Sequence, residues 1–560
     1  MESCICTPSS HQHWECAYSL LSAPKIFVRE ATGLVKDISL FNAWTYNASS
    51  MMALSYGPAT YALVFATIPG ADPLVSFITC WLLSLGLLLV YVFFTATMPR
   101  SGAEYVFISR TLHPVLGWLA SSTVWWTEAV FLGLMAAWMG GLYVSAPLMT
   151  MGTILNLPSL AAMGAAAATP VWVFVIGTVV LIGVAVISLH LRTYFKVQTL
   201  ILIISILAAA VAIGLLATKS PEEFIASFNR YALPYAHTSD PYHEVIAAAK
   251  QNGFAAIPFS WQPTMVGMTA AAAGMPFAYF SAYCSGEMKG AASLKRQMIA
   301  MVGTWATATP LQILATAMLV RAVGAEFVGA SFYLSIFSPQ SWPFPVAPFL
   351  NMFLAMLTDN LLLNGILAVG WFVFGLVVIV QLWLMLTRTL FAWSFDRVVP
   401  SFFSDVNDTL HAPVKATIFI LVLGEFFLLL FSQITPALAT FLTYGMTLAF
   451  IVPGAFLLMG IAGVLFPYVR KDIYRLSPVS KYKIGKVPLI TILGAIACAQ
   501  MLQLVYYFLT ESELGVNNLP VLSVIGVEAV AALALYAFLH LMRKRQGIDL
   551  ALAFKAIPPE

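Results

Sequence analysis

Apolar runs of about twenty residues recur along this chain, and that length limits what each can become. A helix needs about 20 apolar residues to cross the hydrocarbon core of a bilayer, and soluble folds rarely use so many in a row. Twelve such runs can be read, at roughly 40–66, 72–97, 114–146, 171–190, 196–218, 263–286, 298–322, 360–387, 414–432, 436–466, 488–510 and 519–542. The third and tenth are longer than a crossing requires, so they tilt or extend past the interface. The 560 residues are 60% hydrophobic and 9% charged, whereas about a quarter of a soluble globule is charged. The expected fold class is therefore an all-α polytopic membrane protein with twelve transmembrane helices.

Lysine and arginine test that count, because cytoplasmic loops collect them. With the N-terminus inside, all but four of the 27 basic residues fall on the cytoplasmic side; the exceptions are Lys219, Arg230, Lys250 and Arg321. One miscounted helix would reverse every later loop and destroy the bias. Both termini are thus expected in the cytoplasm. The first 26 residues lack the apolar core of a signal peptide, so the first span is expected to act as the targeting signal. The net charge of +3, without a basic run, gives no reason to expect nucleic acid. Six scattered cysteines form no disulfide framework. Cys4, Cys6, His11, His13 and Cys16 match no standard zinc spacing, and no metal or cofactor is expected. The outside segment 219–262 reads as a folded surface loop. The segment 323–359 contains the proline-rich "SPQSWPFPVAP" and is poor in helix signals.

Two spans are interrupted. The first carries Ser55-Tyr56-Gly57-Pro58 near its midpoint, and the sixth carries Gly274-Met275-Pro276. Proline removes a backbone donor and clashes with the preceding turn, and hydrocarbon tolerates the freed groups only where protein or a water-filled cavity receives them. Matching interruptions in two halves are a pointer to a transporter binding site, and spans one and six each open a set of five. Opened helices present N–H groups, which suit a carboxylate, and carbonyls, which suit an ammonium or a cation. A zwitterionic amino acid offers both partners. The bland reading is that Pro58 and Pro276 are simple kinks.

Three cytoplasmic-side motifs then resemble the amino acid–polyamine–organocation permeases. They are "MPRSGAEYVFISRTLHPVLGW" (98–118), "SGEMKGA" (285–291) and "TRTLFAWSFDRVVPSFFSDVNDTLHAPVKA" (387–416). The resemblance covers about residues 36–470, and the last two helices fit it by count. It implies a five-plus-five inverted-repeat bundle working by alternating access, with repeats at about 37–218 and 263–466 inside a core of 37–470. Residues 1–36 and 543–560 would be cytoplasmic tails, and 487–542 two added helices. The family's Gly-Ser-Gly break falls on Leu54, Ser55 and Tyr56, next to Gly57. Two of those three are not small, which leaves Ser49-Ser50 and Gly57-Pro58 as alternative break points.

The expected substrate-binding residues are Leu54, Ser55, Tyr56, Gly57, Gly274, Met275, Pro276 and Phe277, with Tyr279 and Phe280 as gates or as plain packing. Met51, Met52, Met275 and Phe277 favour a neutral, apolar amino-acid side chain. Glu128 lies in the middle of span three, where a carboxylate costs ~2.5–3.5 kcal/mol on insertion scales, so it should face a cavity. It is the proton-coupling candidate; the alternative is a protonated acid bonded between helices. Glu425 and Glu528 read as helix or subunit contacts. Trp125 and Trp126 read as packing, and Asp359, Asn360 and Asn364 as entry residues. Arg388, Asp396, Arg397, Glu287 and Lys289 read as interface anchors with local salt bridges.

Concentrating a solute needs a coupled ion or an exchanged product. Some proton-coupled members of the family carry a lysine in helix five, where this sequence has Ser205. Val378 and Phe374 stand about where sodium-coupled relatives place hydroxyls on helix eight. Neither a proton nor a sodium ion is marked by these positions, although Glu128 keeps a proton route open. The expected function is a plasma-membrane secondary transporter of amino acids, monomer or homodimer. Alternatives are an exchanger or uniporter, an amino-acid sensor without net flux, and polyamines or other amines as substrate. An enzyme would want clustered histidines or serines at one face, and a channel a ring of like residues.

Overall fold

Backbone N–H and C=O groups in hydrocarbon must be satisfied within the segment, and helices do this with local bonds alone. The computed structural model describes residues 34–51, 56–236, 238–272, 277–433, 438–548, 550, 554 and 557. Among them the strands are a two-residue antiparallel pair, Lys483–Ile484 with Val487–Pro488. The chain otherwise runs through α1 (Leu40–Met51), α2 (Tyr56–Thr67), α3 (Pro73–Thr97), α4 (Glu104–Thr111) and α5 (Pro114–Ile154). It continues through α6 (Pro158–Ala167), α7 (Pro170–Ser188), α8 (Leu191–Thr218), α9 (Pro221–Ala232), α10 (Pro241–Gln251) and α11 (Trp261–Ala271). After a 3₁₀ segment, Phe277–Glu287, come α12 (Leu294–Val323), α13 (Ala325–Phe337), α14 (Leu350–Met356) and α15 (Leu361–Phe395). The last are α16 (Val414–Ser432), α17 (Leu438–Val469), α18 (Lys471–Leu476), α19 (Leu489–Thr510) and α20 (Leu519–Arg545).

Ten of these helices are long and apolar enough to cross a membrane. The first and sixth apolar stretches are not among the ten; the first holds α1 and α2, the sixth α11 and the 3₁₀ segment. Several helices outrun the apolar runs, as α8 does by starting at Leu191 and α15 by ending at Phe395. Their extra turns carry Arg192, exposed and paired with Asp37, and Arg388, buried and paired with Glu287. Local chemistry sets the ends. Asp72 accepts from Val75 N at 2.9 Å ahead of Pro73, and Ser220 with Glu223 closes a capping box around Pro221.

The two ends of the bundle differ. One, the tail face, gathers Ile38, α4, the end of the 3₁₀ segment, the end of α15 and Phe554. The other, the loop face, carries α9, α10, α13 and α14. The folded loop expected at 219–262 is the helix pair α9 and α10. The segment 323–359 departs from its sequence reading, because α13 and α14 flank the proline-rich stretch. Their formation is a tertiary effect: Phe327 stacks on Tyr242 at 4.3 Å and meets Phe228 edge-on at 4.7 Å, and Phe353 meets Phe224 at 5.9 Å.

Candidate functional site

α1 ends at Met51 and α2 begins at Tyr56, while α11 ends at Ala271 and the 3₁₀ segment begins at Phe277. Of the expected binding residues, Leu54, Ser55, Gly274, Met275 and Pro276 lie outside the described residues, as do Met52 and the Cys4–Cys16 group. Tyr56 opens α2, and Phe277 opens the 3₁₀ segment. Gly57 is buried against α12, where a Cβ would stand 2.7 Å from Thr316 Oγ1 and 2.9 Å from the Gln312 carbonyl oxygen. Any larger residue must push the two helices apart.

Polar side chains hold these helix ends in place. Gln312 Nε2 donates to the Met51 carbonyl, so α12 serves the end of α1 whose carbonyls have no partner in their own helix. Asn47 on α1 donates to the Ala300 carbonyl at 2.8 Å and to Ser281 Oγ at 3.0 Å, and its Oδ1 accepts from Ser281 N at 2.8 Å. One amide thus joins α1, the 3₁₀ segment and α12. Tyr46 Oη donates to the Gln381 carbonyl at 2.8 Å, and Gln381 Nε2 returns a bond to the Tyr46 carbonyl at 3.0 Å. Leaving such a buried group without a partner costs about 1–3 kcal/mol. These residues were not singled out in the sequence. Their signal was there: an amide inside an apolar span is expensive unless paired.

Tyr279 and Phe280 are packed side chains. Tyr279 lies against Tyr91 at 4.3 Å and Phe456 at 5.5 Å, and Phe280 meets Tyr46 edge-on at 6.3 Å. Glu128 is buried on α5, and among the described residues no hydrogen-bond partner reaches its carboxyl. The charge of a second buried acid, Glu104, acts on it, and both acids act on Tyr279. Ser205 donates to the Ile201 carbonyl and borders a shallow open cleft with Asn351, Trp371 and Phe374. Val378 is buried in α15.

The tail-face charges correct the expectation of local salt bridges. Arg388 forms a two-point pair with Glu287, Nη2 to Oε2 at 2.9 Å, and both side chains are almost wholly buried. Arg110 pairs with Asp396, also buried. Each pair joins elements far apart in sequence, which the packing of the bundle brings together. Asp37 accepts from Arg192 at 2.6 Å and Lys289 at 3.0 Å; those two bonds, Arg192 first, hold its carboxyl below the usual range. Glu425 accepts from Thr178 on α7 at 2.8 Å, a helix–helix contact, and Trp125 packs on Trp393. On the loop face Asp359 pairs with Arg230 at 3.1 Å, Asn360 caps α15, and Asn364 donates to the Thr358 carbonyl.

Ten long apolar helices, with side-chain amides bracing the helix ends between them, define an all-α polytopic membrane protein. The sequence profile described as amino acid permease matches residues 39–530, so the chain belongs to the amino acid permease family of the amino acid–polyamine–organocation superfamily. Its members are transporters, not enzymes. The match runs past about residue 470, where the sequence resemblance stops, into α19 and α20. No curated protein matches the chain.

Proposed function

We propose that this chain is a secondary transporter that moves neutral, apolar amino acids across the plasma membrane by alternating access. Twelve spans are counted by adding the first and sixth apolar stretches to the ten long helices. The core is a five-plus-five inverted repeat in which spans one and six are broken, and the tail face is cytoplasmic. The observation that carries the reading is the pairing of two helix ends. The end of α1 is braced by Gln312, the start of α2 rests on α12 at Gly57, and the 3₁₀ segment is tied to α1 through Asn47. Substrate carboxylate would meet the N–H groups opening α2 around Leu54, Ser55, Tyr56 and Gly57. Its ammonium would meet carbonyls near Gly274, Met275, Pro276 and Phe277. Each helix-end contact supplies ~0.3–1 kcal/mol when exposed and up to about 2 when partly buried. Tyr279 and Phe280 move with the 3₁₀ segment and close the path as gates.

The test is uptake of a labelled amino-acid panel into proteoliposomes, with no gradient, a proton gradient, a sodium gradient, or internal amino acid for counterflow. Saturable uptake of one amino-acid class is expected. Ligand-dependent stabilisation with no flux under any condition would replace the transporter by a sensor. Gly274→Leu is expected to abolish uptake while the protein still inserts and stays monodisperse; unchanged uptake would reduce the interruption to a kink.

A further inference from the structure

Glu104 opens α4 in the short segment between α3 and α5, outside the candidate membrane spans, yet it is only 1% exposed. Among the described residues its partners are two phenols from different helices. Tyr283 Oη on the 3₁₀ segment donates to Oε1 at 3.0 Å, and Tyr91 Oη on α3 donates to Oε2 at 3.4 Å. Among the described residues no cation is paired with it. The one arginine on its own helix, Arg110, is committed to Asp396, just past α15, and lies against the Tyr105 and Phe554 rings. From the other packed elements, α5 presents Glu128, the 3₁₀ segment also presents Tyr279, and α17 packs Phe456 on Tyr91 and Tyr279 while its Tyr468 is exposed. Arg470, beyond α17, donates to the Arg110 carbonyl. The second carboxylate, Glu128, is itself nine-tenths buried and without a hydrogen-bond partner among the described residues. The backbone is fastened at the same place: Gly102 N donates to the Tyr283 carbonyl at 3.1 Å, and Ser285 Oγ to the Arg100 carbonyl at 2.9 Å.

We propose that Glu104 is a proton-binding site that couples transport to proton movement, its carboxylate latching α3 to the 3₁₀ segment through Tyr91 and Tyr283. The proposal rests on the transporter reading above and assigns its coupling ion. An ionised carboxylate only accepts, so both phenols can donate to it at once. Protonation turns one carboxyl oxygen into a hydroxyl, a donor and a poorer acceptor, so the phenol contact to that oxygen weakens or reverses. Either way the link through Glu104 between α3 and the 3₁₀ segment, the proposed moving part of the site, is loosened. Burial pushes the Glu104 carboxyl up to about 7, with the two phenol bonds pulling the other way. The proton therefore exchanges around neutrality, where a modest gradient can load and unload it.

The first readout needs no flux. Infrared difference titration of the purified full-length protein should show a carboxyl C=O band that disappears with a midpoint near pH 7 and is missing from Glu104→Gln. The second is transport in proteoliposomes. Wild type should respond to an inward proton gradient, and in Glu104→Gln the ratio of proton-driven uptake to counterflow should fall about tenfold, a usual size for coupling between two ligands. Should Glu104→Gln fail to fold, Tyr283→Phe and Tyr91→Phe keep the acid. Each removes a donor that stabilises the ionised form, so each should move the midpoint to higher pH. A band that persists unchanged in Glu104→Gln, or midpoints that the phenylalanine variants leave in place, would overturn the proposal. So would counterflow in the wild type that ignores a proton gradient, and in that case the transporter reading survives. Absence of counterflow for every amino acid, with the band titrating as described, would sink the transporter reading and with it the coupling.

Discussion

The tail face and the loop face of the bundle are held together by different physics. The tail face adds two buried ion pairs, Arg388 with Glu287 and Arg110 with Asp396, to ring contacts such as Phe94 with Phe107 and Trp118 with Trp393. On the loop face the ion pairs are exposed, as in Arg230 with Asp359 and Lys250 with Glu326, and the joining falls to a cluster of rings. Phe224, Phe228, Tyr242, Phe327 and Phe353 interlock across α9, α10, α13 and α14. A buried ion pair is all-or-none, since either partner alone is an uncompensated charge. A ring cluster yields gradually, because many weak contacts share the load. Losing one partner of a buried pair on the tail face should therefore cost more than losing one ring contact on the loop face.

Removing half of a buried pair should give the largest effect. Arg388→Ala leaves the Glu287 carboxylate stranded, and loss of about 3–5 kcal/mol of stability is expected. Thermal unfolding in detergent measures it. The same variant should expose the 3₁₀ segment, so Cys284, now 1% exposed, should react faster with a maleimide, read by mass spectrometry at that residue. Replacing both partners, Arg388→Met with Glu287→Leu, should recover most of the stability, because no charge is left unpaired. Recovery of stability without recovery of transport would mean that the pair serves the cycle and not the fold. If Arg388→Ala is as stable as wild type, the contrast between the two faces is wrong at its centre.

A subtler change on the loop face should cost less. Phe228→Leu keeps apolar bulk but loses edge-to-face contact with Phe327, which is worth about 0.5–1.5 kcal/mol beyond area burial. Cys284 reactivity should not change, since the tail face is untouched. A rise in that reactivity would show that the two faces are coupled.

How much of this was legible beforehand follows from the same contrast. Hydropathy is a local property, so ten of the apolar runs correspond to long helices. Span ends were less legible, because charged side chains extend helices such as α8 beyond their apolar runs. The pairs were read as local because Glu287 and Arg388 stand 101 residues apart and Arg110 and Asp396 286 apart, a juxtaposition that only the packed bundle creates. α13 and α14 were missed for a similar reason: rings from α9 and α10 stabilise helices whose own sequence argues weakly for them. Of the site, Gly57 was marked by its own local break, whereas Gln312, Asn47 and Gln381 act through partners on other helices. Glu104 lies within the 98–118 motif, yet nothing in "SGAEY" says that a residue between two spans will be buried.

The smallest expected effect is also the most discriminating for the exposed pairs. Arg230 and Asp359 are each more than half exposed, so water already screens them, and Arg230→Ala should change stability by only about 0–1 kcal/mol. Tyr231 donates to the same carboxylate and remains after the substitution, which lowers the expected loss further. Asp359 is also one residue ahead of the Asn360 cap of α15, and acidic charge near that helix start is favourable with or without the arginine. The substitution therefore separates two roles by substrate kinetics. An unchanged melting temperature with unchanged uptake makes the pair a surface contact. An unchanged melting temperature with a raised KM and unaltered maximal rate would place Arg230 and Asp359 on the entry path, as the sequence reading of Asp359 expects. A fall in stability comparable to that of Arg388→Ala would mean that exposure is no guide to the worth of a pair here.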